Sequence, residues 1–242
     1  MIERVRRSNL KGILVVATSD MPDDDVIAKL CEKIGISCFR GSLTDLLDRH
    51  YQLALAYNAD ALVKIPSDCP LIDPSIIDQV IGYYLQNYPA FDFVSNLHPA
   101  TYPDGNDVEI FSIATLKLAW EKARKDFERE HTTPYIWENP EAFRIGNVRW
   151  PRGFDYSISH RWTIDYREDY HFISEVYDRL FPDDPEFGLD DILSLIKRHP
   201  EIQELNRQYI GSYWYENHMN ELFTIDEYKR KIMRYESRNN SG

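Results

Sequence analysis

Short apolar runs alternate with amphipathic helical stretches along the first 95 residues of the chain. The run Gly12–Ala17 is continuous and predicts a strand buried on both faces. Further strands are predicted at Ser37–Arg40, Ala61–Ile65 and Phe91–Ser95, each separated from the next by one helix. Strands that alternate with helices at this spacing form parallel sheets with right-handed crossovers, so the pattern predicts an α/β fold.

The alternation changes after residue 95, and this change suggests the domain organisation. Residues 1–95 and 160–205 are predicted to form an α/β core, with Arg161–Ile164 as its last strand. Residues 96–159 are predicted to be an inserted small α+β region that carries a second-substrate surface and an oligomer contact. Residues 206–242 are predicted to form a helical tail.

The first eight residues predict the end of an amphipathic helix. Ile2 and Val5 are expected to face inward, and the arginines, Arg4 among them, are expected to face solvent.

The net charge of the chain argues against a general nucleic-acid-binding or anionic-membrane-binding surface. The 242-residue chain has a formal net charge of −12, whereas nucleic acids and anionic membranes are bound by basic surfaces. Its three cysteines form no CxxC pair and are expected to be reduced thiols. The sequence shows neither a membrane-spanning apolar run nor a signal peptide, so a cytoplasmic location without membrane insertion is expected.

The stretch from Ala61 to Pro74 is where candidate chemistry is densest. An apolar strand ends in a turn that carries Asp68, and Asp73 with Pro74 then form a helix N-terminus. Ligands of open α/β sheets bind beyond the carboxyl ends of strands. A carboxylate there can bind Mg²⁺ together with substrate phosphates, although the residues alone favour the simpler interpretation that Asp68 only caps its turn.

Two other polar segments have simple structural interpretations. Glu128–His131 fits a solvated corner between helices with an internal ion pair, which the residues alone favour over a binding role. Asp165 and Glu168 have the spacing of a capping box at a helix start.

Taken together, the motifs VVATSD, FRGS, DLLDR, SDCPLIDP, YPDG, EREH, RWTIDY and FGLDDIL resemble those of one family. Their order is similar to that in bacterial cytidylyltransferases of surface-sugar synthesis, above all the spore-coat polysaccharide type. That group is similar in turn to the CMP-KDO and acylneuraminate synthetases. The resemblance covers about Met1 to Leu205, and it depends on the combined set because each motif alone is weak.

The resemblance implies a Rossmann-like three-layer, mostly parallel sheet of the nucleotide-diphospho-sugar transferase type, usually in a homodimer. It implies the reaction of CTP and a sugar acid to give a CMP-sugar and pyrophosphate, with Mg²⁺ held by Asp68 and Asp165. The strand-end loops that approach the nucleotide correspond to Ser19, Asp20, Gly41, Ser42 and Ser67. The face expected to bind the sugar corresponds to Asn96, Tyr102, Glu109, Glu128, Arg129 and His131. Arg129, His131 and Arg161 are candidate partners of the sugar carboxylate.

The chain departs from the family pattern at its start. Relatives open with a strand and a Gly/Arg/Ser/Pro loop that wraps the triphosphate, whereas this sequence begins in the helix that follows that loop. A shortened enzyme and a protein that has lost synthetase activity both fit this departure. Alternatives are another nucleotidyltransferase or a glycosyltransferase of the same fold, or a non-catalytic dimeric scaffold.

Overall fold

A computed structural model of the chain describes residues 1–211 and 218–239. The strands are β1 (Val15–Ser19), β2 (Ser37–Gly41), β3 (Ala61–Lys64), β4 (Phe93–Ser95), β5 (Glu109–Ser112) and β6 (Ile145–Asn147). The α-helices are α1 (Ile2–Arg6), α2 (Asp25–Lys33), α3 (Leu46–Ala56), α4 (Pro74–Gln86), α5 (Ile113–Lys122), α6 (Asp126–Glu130), α7 (Pro134–Trp137), α8 (Arg167–Leu180), α9 (Leu189–Arg198), α10 (Pro200–Gln203) and α11 (Asp226–Asn239). None of the described helices combines the length and the apolarity needed to cross a membrane.

The strands form two sheets. β1 and β2 pair in parallel, while the second sheet has the order β3-β5-β4-β6. β5 runs antiparallel to both of its neighbours, and β4 and β6 are parallel. The α/β class predicted from the sequence is confirmed. Residues 96–159 supply β5 and β6, so this segment is built into the sheet, and its role in substrate binding and dimer contact stays a prediction.

Alternating side chains of the four-stranded sheet enter two apolar clusters. Val94 and Ile110 belong to a cluster that includes residues of α4, α8 and α9. Their neighbours Phe93 and Phe111 belong to a second cluster that includes residues of α3 and α5. Since successive residues of a strand point to opposite faces, the sheet is covered on both sides and the molecule has three layers.

The expectation that Gly12–Ala17 is buried on both faces is wrong. The strand is Val15–Ser19, Ile13 is 73% exposed, and Val15 and Val16 are only partly buried. β1 pairs with β2 along one edge, and its other edge has no strand beside it within the described part of the chain. A strand is buried only where other elements pack against it. β1 instead borders a cavity of about 1410 Å³.

The predicted strand Arg161–Ile164 is also absent as a strand. Arg161 makes a single bridge to Asp104, and the backbone N–H of Ile164 donates to the carbonyl of Asp68 at 2.9 Å. Because the backbone groups of this segment hydrogen-bond to two different loops, no continuous β-ladder forms.

The C-terminal segment packs onto the body of the protein where it is described. Leu222 and Ile225 are buried in the cluster that contains Phe93, and α11 follows them. Within the predicted tail, residues 212–217 and 240–242 lie outside the described residues.

Arg4 faces inward, which corrects the expectation of a solvent-facing arginine. Its side chain is 3% exposed and donates to the carbonyls of Ile72 at 2.8 Å, Phe187 at 2.9 Å and Leu71 at 3.3 Å. The guanidinium lies 4.6 Å from the centroid of the Phe187 ring. Burial lowers the pKa of Arg4. The first helix is therefore tied to the loop that follows Asp68.

We expect Arg4→Ala to lower the free energy of unfolding by about 3 kcal/mol, because three buried carbonyls lose a charged donor. Urea denaturation measures this change. Arg7→Ala is the matched control, since Arg7 is on the same segment and makes one long, exposed hydrogen bond of 3.5 Å. Equal stability losses in the two variants would contradict the role given to Arg4.

Candidate functional site

The loop that carries Asp68 is held by the helix that follows it. Asp73 is the N-cap of α4, and its Oδ1 accepts from the N–H of Ser75 at 2.8 Å. Its Oδ2 accepts from the N–H of Leu189 at 2.7 Å, which joins the loop to the start of α9. Pro74 occupies the first turn, as the sequence predicts. A short apolar strand and a well-capped helix thus fix both ends of the Asp68 turn.

The structure brings the Asp68 and Asp165 segments together. The carbonyl of Asp68 accepts from the N–H of Ile164 at 2.9 Å and from the hydroxyl of Thr163 at 3.2 Å. Both aspartates line the cavity of about 1410 Å³, and both are exposed to it. Two carboxylates that are distant in sequence therefore share one wall.

Asp68 lies in surroundings that disfavour its charge. Desolvation raises the pKa of this carboxyl, and the nearby Asp165 raises it further. The Cys69 thiol donates to Asp68 Oδ1 at 3.4 Å, which opposes the rise in pKa. A cation at this wall would relieve the repulsion between the two carboxylates.

A buried arginine positions Asp165. Arg161 is 2% exposed and binds Asp169 through two hydrogen bonds of 2.9 Å. Its Nη2 also donates to Asp165, and its Nη1 lies 3.6 Å from Asp104. Because these carboxylates already surround it, Arg161 is not placed as the sugar-carboxylate partner suggested from sequence.

The expected capping box of Asp165 and Glu168 is wrong. The carboxylate at the start of α8 belongs to Asp169, whose Oδ2 accepts from the N–H groups of Asp165 and Tyr166 at 3.1 Å each. The Asp165 side chain is turned to Arg161 instead.

Two further acids at this site escaped the sequence reasoning. Asp104 and Asp107 line the same cavity, although both lie in the segment that contains the YPDG motif. Gly105 between them has a φ of +98°, and a Cβ there would lie 2.7 Å from the carbonyl carbon of Trp162. This close backbone approach sets Asp104 beside Arg161, a contact that spacing along the chain does not reveal.

Burial dominates the titration of both acids. Desolvation raises the pKa of Asp104 well above its usual range. Desolvation and the nearby Asp68 raise the pKa of Asp107 to about 7. Carboxyls with strongly shifted pKa values are common at functional sites.

A buried ion pair forms another part of the cavity wall. Lys64 Nζ lies 2.6 Å from Glu109 Oε2, and the hydroxyl of Thr133 donates to Glu109 Oε1 at 2.7 Å. Burial acts to raise the pKa of Glu109, but Lys64 and the hydrogen bond from Thr133 together outweigh it, and the pKa is lowered. Glu109 is thus at the cavity, as expected for a sugar-binding residue, with its charge already paired.

Three histidines lie around that pair. His50, His98 and His131 all line the cavity, and burial lowers the pKa of each to about 4. His131 is therefore neutral at physiological pH. In that form it offers a sugar substrate a hydrogen bond, not a charge.

Only one of the residues matched to the nucleotide-binding loops lines the cavity. Ser67 lines the cavity beside Asp68. The hydroxyl of Ser19 donates to Asp24, and the hydroxyl of Ser42 accepts from the N–H of Asp45 at 3.0 Å, so both serve their own loops. Asp20 and Gly41 join the ends of β1 and β2 through an N–H to carbonyl hydrogen bond of 2.9 Å.

Most residues matched to the sugar face have structural partners. Asn96 binds the carbonyl of Asn106 at 2.6 Å and the N–H of Val108 at 3.0 Å. The hydroxyl of Tyr102 donates to Gln79 at 2.9 Å, and its ring lines a separate, smaller cavity of about 330 Å³.

The corner formed by Glu128 and Arg129 differs from the expected solvated one. Glu128 is buried, and its Oε2 accepts from the N–H groups of Arg124 and Lys125 at 2.9 and 3.0 Å. Arg129 pairs with Asp45 at 2.6 Å, across to α3, and not within the corner. These contacts stabilise α6 against the core.

The two carboxylates at this wall suit a magnesium ion better than a metal that needs a full set of protein ligands. Within residues 1–211 and 218–239, no group of three or more His, Cys, Asp or Glu side chains is arranged to hold a metal ion. Asp68 and Asp165 provide two carboxylates on one wall. Mg²⁺ needs only one or two carboxylates when substrate phosphates and water complete its coordination.

The sequence matches the cytidylyltransferase family over residues 1–232. The chain belongs to the cytidylyltransferase family. A solved cytidylyltransferase from Leptospira borgpetersenii serovar Hardjo-bovis is 35% identical with a TM-score of 0.78, over 84% of this chain and 83% of that one. This finding confirms the Rossmann-like nucleotidyltransferase fold.

Two further relatives resemble this cytidylyltransferase over most of its length. The spore coat polysaccharide biosynthesis protein SpsF of Bacillus subtilis is 28% identical over 206 residues, 83% of each chain. The protein MJ1063 of Methanocaldococcus jannaschii is 32% identical over 206 residues, 85% of this chain and 82% of that protein. The resemblance to the spore-coat type, inferred from the motifs, is confirmed.

We expect the free energy of unfolding of Asp107→Asn, relative to that of the wild type, to increase as the pH rises. A carboxyl with a raised folded-state pKa holds its proton in the folded chain while the unfolded chain releases it, so wild-type stability falls between about pH 4 and about pH 7. The lowered pKa values of the three histidines act in the opposite direction in both proteins and cancel in the comparison.

Urea denaturation at about pH 5 and about pH 8 measures this difference. Asp23→Asn, at an exposed acid near the start of α2, is the control. A stability difference between Asp107→Asn and wild type that does not change with pH would contradict the raised pKa.

Proposed function

We propose that this cytidylyltransferase transfers the cytidylyl group of CTP to a sugar acid and releases pyrophosphate, in cell-surface polysaccharide synthesis. Family membership supports the use of CTP, and the spore-coat relative supports the polysaccharide setting. The observation that carries the proposal is the convergence of Asp68 and Asp165 on one wall of a large cavity.

In the proposed reaction a sugar hydroxyl oxygen attacks the α-phosphorus of CTP. The bond from that phosphorus to the oxygen bridging to the β-phosphorus breaks, and pyrophosphate leaves. Such transfers depend mainly on positioning and on neutralising phosphate charge. Asp107 lines the cavity with a pKa of about 7, which suits it to accept the hydroxyl proton.

We also propose Mg²⁺ as the cofactor, held by Asp68 and Asp165. When bound, Mg²⁺ supplies positive charge to the phosphate chain and polarises the α-phosphate. Arg161 orients Asp165 through its Nη2, and the hydrogen bonds at the Asp68 carbonyl keep the two segments adjacent. The sugar acid is proposed to lie on the side of the cavity formed by Glu109 and His131. The homodimer stays a prediction.

We expect Asp68→Asn to lower kcat for pyrophosphate release by at least about 100-fold, because a carboxylate that offsets transition-state charge is lost. Asp165→Asn should have a comparable effect, while Asp23→Asn, at an exposed acid outside the cavity, should not. The assay combines CTP, Mg²⁺ and a panel of sugar acids, with phosphate detection after pyrophosphatase treatment.

Circular dichroism and urea denaturation show whether each variant is folded. Wild-type turnover in Asp68→Asn would contradict the proposed role of this carboxylate. A folded wild-type chain that releases pyrophosphate with no sugar acid of the panel would contradict the proposed function.

A further inference from the structure

The C-terminal helix α11 presents one face to the large cavity. Glu227, Tyr228 and Lys231 all line the cavity. Residues three and four apart in a helix are neighbours on its surface, so these side chains share one side of α11. Thr224 and Ile225, just before the helix, line the cavity as well. The segment predicted only as a helical tail therefore supplies part of the cavity wall.

The start of this segment is anchored by a carboxylate that directly follows α7. Glu138 accepts hydrogen bonds from the N–H groups of Phe223 and Thr224 at 2.7 and 2.8 Å, and from the Thr224 hydroxyl at 2.6 Å. Leu222 and Ile225, on either side of these residues, are buried. The helix α11 therefore starts from a fixed point on the body of the protein.

Lys231 of α11 is a largely buried lysine whose donors are all used. Its side chain is 12% exposed, and lysine is almost never buried without partners. The Nζ lies 2.8 Å from Asp155 Oδ2, donates to Ser157 Oγ at 3.3 Å and also donates to the carbonyl of Ala100. Because an ammonium has three N–H donors, these three partners satisfy it completely.

The partners of Lys231 belong to two loops that run side by side, residues 97–104 and residues 155–162, called here the paired loops. The N–H of Tyr156 donates to the carbonyl of Thr101 at 2.9 Å. Asp104 makes two more backbone hydrogen bonds to the second loop, of 2.9 and 2.8 Å. The two loops are therefore joined along their length and respond together to a change at either end.

Each end of the paired loops is held by its own cation. Arg161 holds the end at Asp104 through the carboxylates that surround it. Lys231 holds the other end, at Ala100 and Ser157. Loss of one cation leaves the contacts of the other in place, so the two ends can be disturbed separately.

The end held by Lys231 lies on the side of the cavity proposed for the sugar acid. His98, in the first of the paired loops, lines the cavity, and its ring stacks on that of Trp137 with centroids 4.5 Å apart. Trp137 ends α7, the helix that follows His131. Burial lowers the pKa of His98 and the charge of Glu109 opposes this change, so Glu109 is also close to His98.

We propose that Lys231 is a positioning residue for the sugar side of the cavity. It fixes the outer end of the paired loops, and α11 lines the cavity beside them. The C-terminal segment thereby determines how tightly the sugar acid binds, and it leaves the nucleotide site at Asp68 and Asp165 unchanged. The identity of the ligand rests on the proposed function, whereas the positioning of the loops does not depend on it.

Hydrogen exchange followed by mass spectrometry tests the positioning in the full chain without any ligand. Lys231→Met keeps a side chain of similar length and removes its charge. We expect it to speed exchange of the paired loops by at least about tenfold, because their buried acceptors lose a charged donor. Arg230→Met is the matched control, since Arg230 is the neighbouring residue of α11 and is exposed. Wild-type exchange rates in Lys231→Met would overturn the proposal.

A second variant removes the charge from the other side of the contact. Asp155 is 42% exposed, so Asp155→Asn is expected to fold even if Lys231→Met does not. It should speed exchange of the same loops, and it should add little to the effect of Lys231→Met, because the contact is already lost there. Fully additive effects of the two substitutions would contradict the contact.

Steady-state kinetics with CTP, Mg²⁺ and the panel of sugar acids tests the link to the proposed reaction. Lys231→Met should raise KM for the sugar acid by at least about tenfold, with kcat and calorimetric CTP affinity unchanged. Equal losses for CTP and for the sugar acid would overturn the assignment to the sugar side. A wild-type chain that turns over no sugar acid would contradict the proposed function alone, and the exchange experiment would still decide the role of Lys231.

Discussion

The buried guanidinium of Arg161 is the constraint on which the candidate site depends. A charge that is 2% exposed must be neutralised where it lies, because an unpaired buried charge costs several kcal/mol. Asp169 and Asp104 meet it from α8 and from the YPDG loop, and Asp165 contacts it from the cavity side. The segments that carry the acids are therefore assembled before any substrate arrives.

Local features of this site were predictable from sequence, and long-range ones were not. The strand before Asp68 and the cap at Asp73 depend on neighbouring residues, and both predictions hold. The inward position of Arg4 depends on carbonyls more than 60 residues away, with separations of 67 and 68. The sequence did not mark Asp107 as a site residue, because its raised pKa comes from burial and from Asp68, which only the fold brings near it. The pairing of Asp68 with Asp165 came from family resemblance, since spacing alone gave each a simple capping role.

The mistaken burial of β1 has the same physical origin. A continuous apolar run predicts a covered strand only if other elements cover it, and β1 has β2 on one edge and open space on the other. Val15 and Val16 of β1 and Val63 of β3 are therefore only partly buried and line the cavity. The same cavity has acidic side chains at one end and apolar ones along its length, and the proposed nucleotide site lies at the acidic end.

Isothermal calorimetry of CTP binding, with and without Mg²⁺, tests the central claim most directly. The claim is that Asp68 and Asp165 form a metal-dependent CTP site. It predicts that the wild-type chain binds CTP only when Mg²⁺ is present, and that Asp68→Ala weakens binding by at least about tenfold, or 1.4 kcal/mol. CTP binding of equal affinity in folded Asp68→Ala, or no binding by the folded wild-type chain, would contradict it.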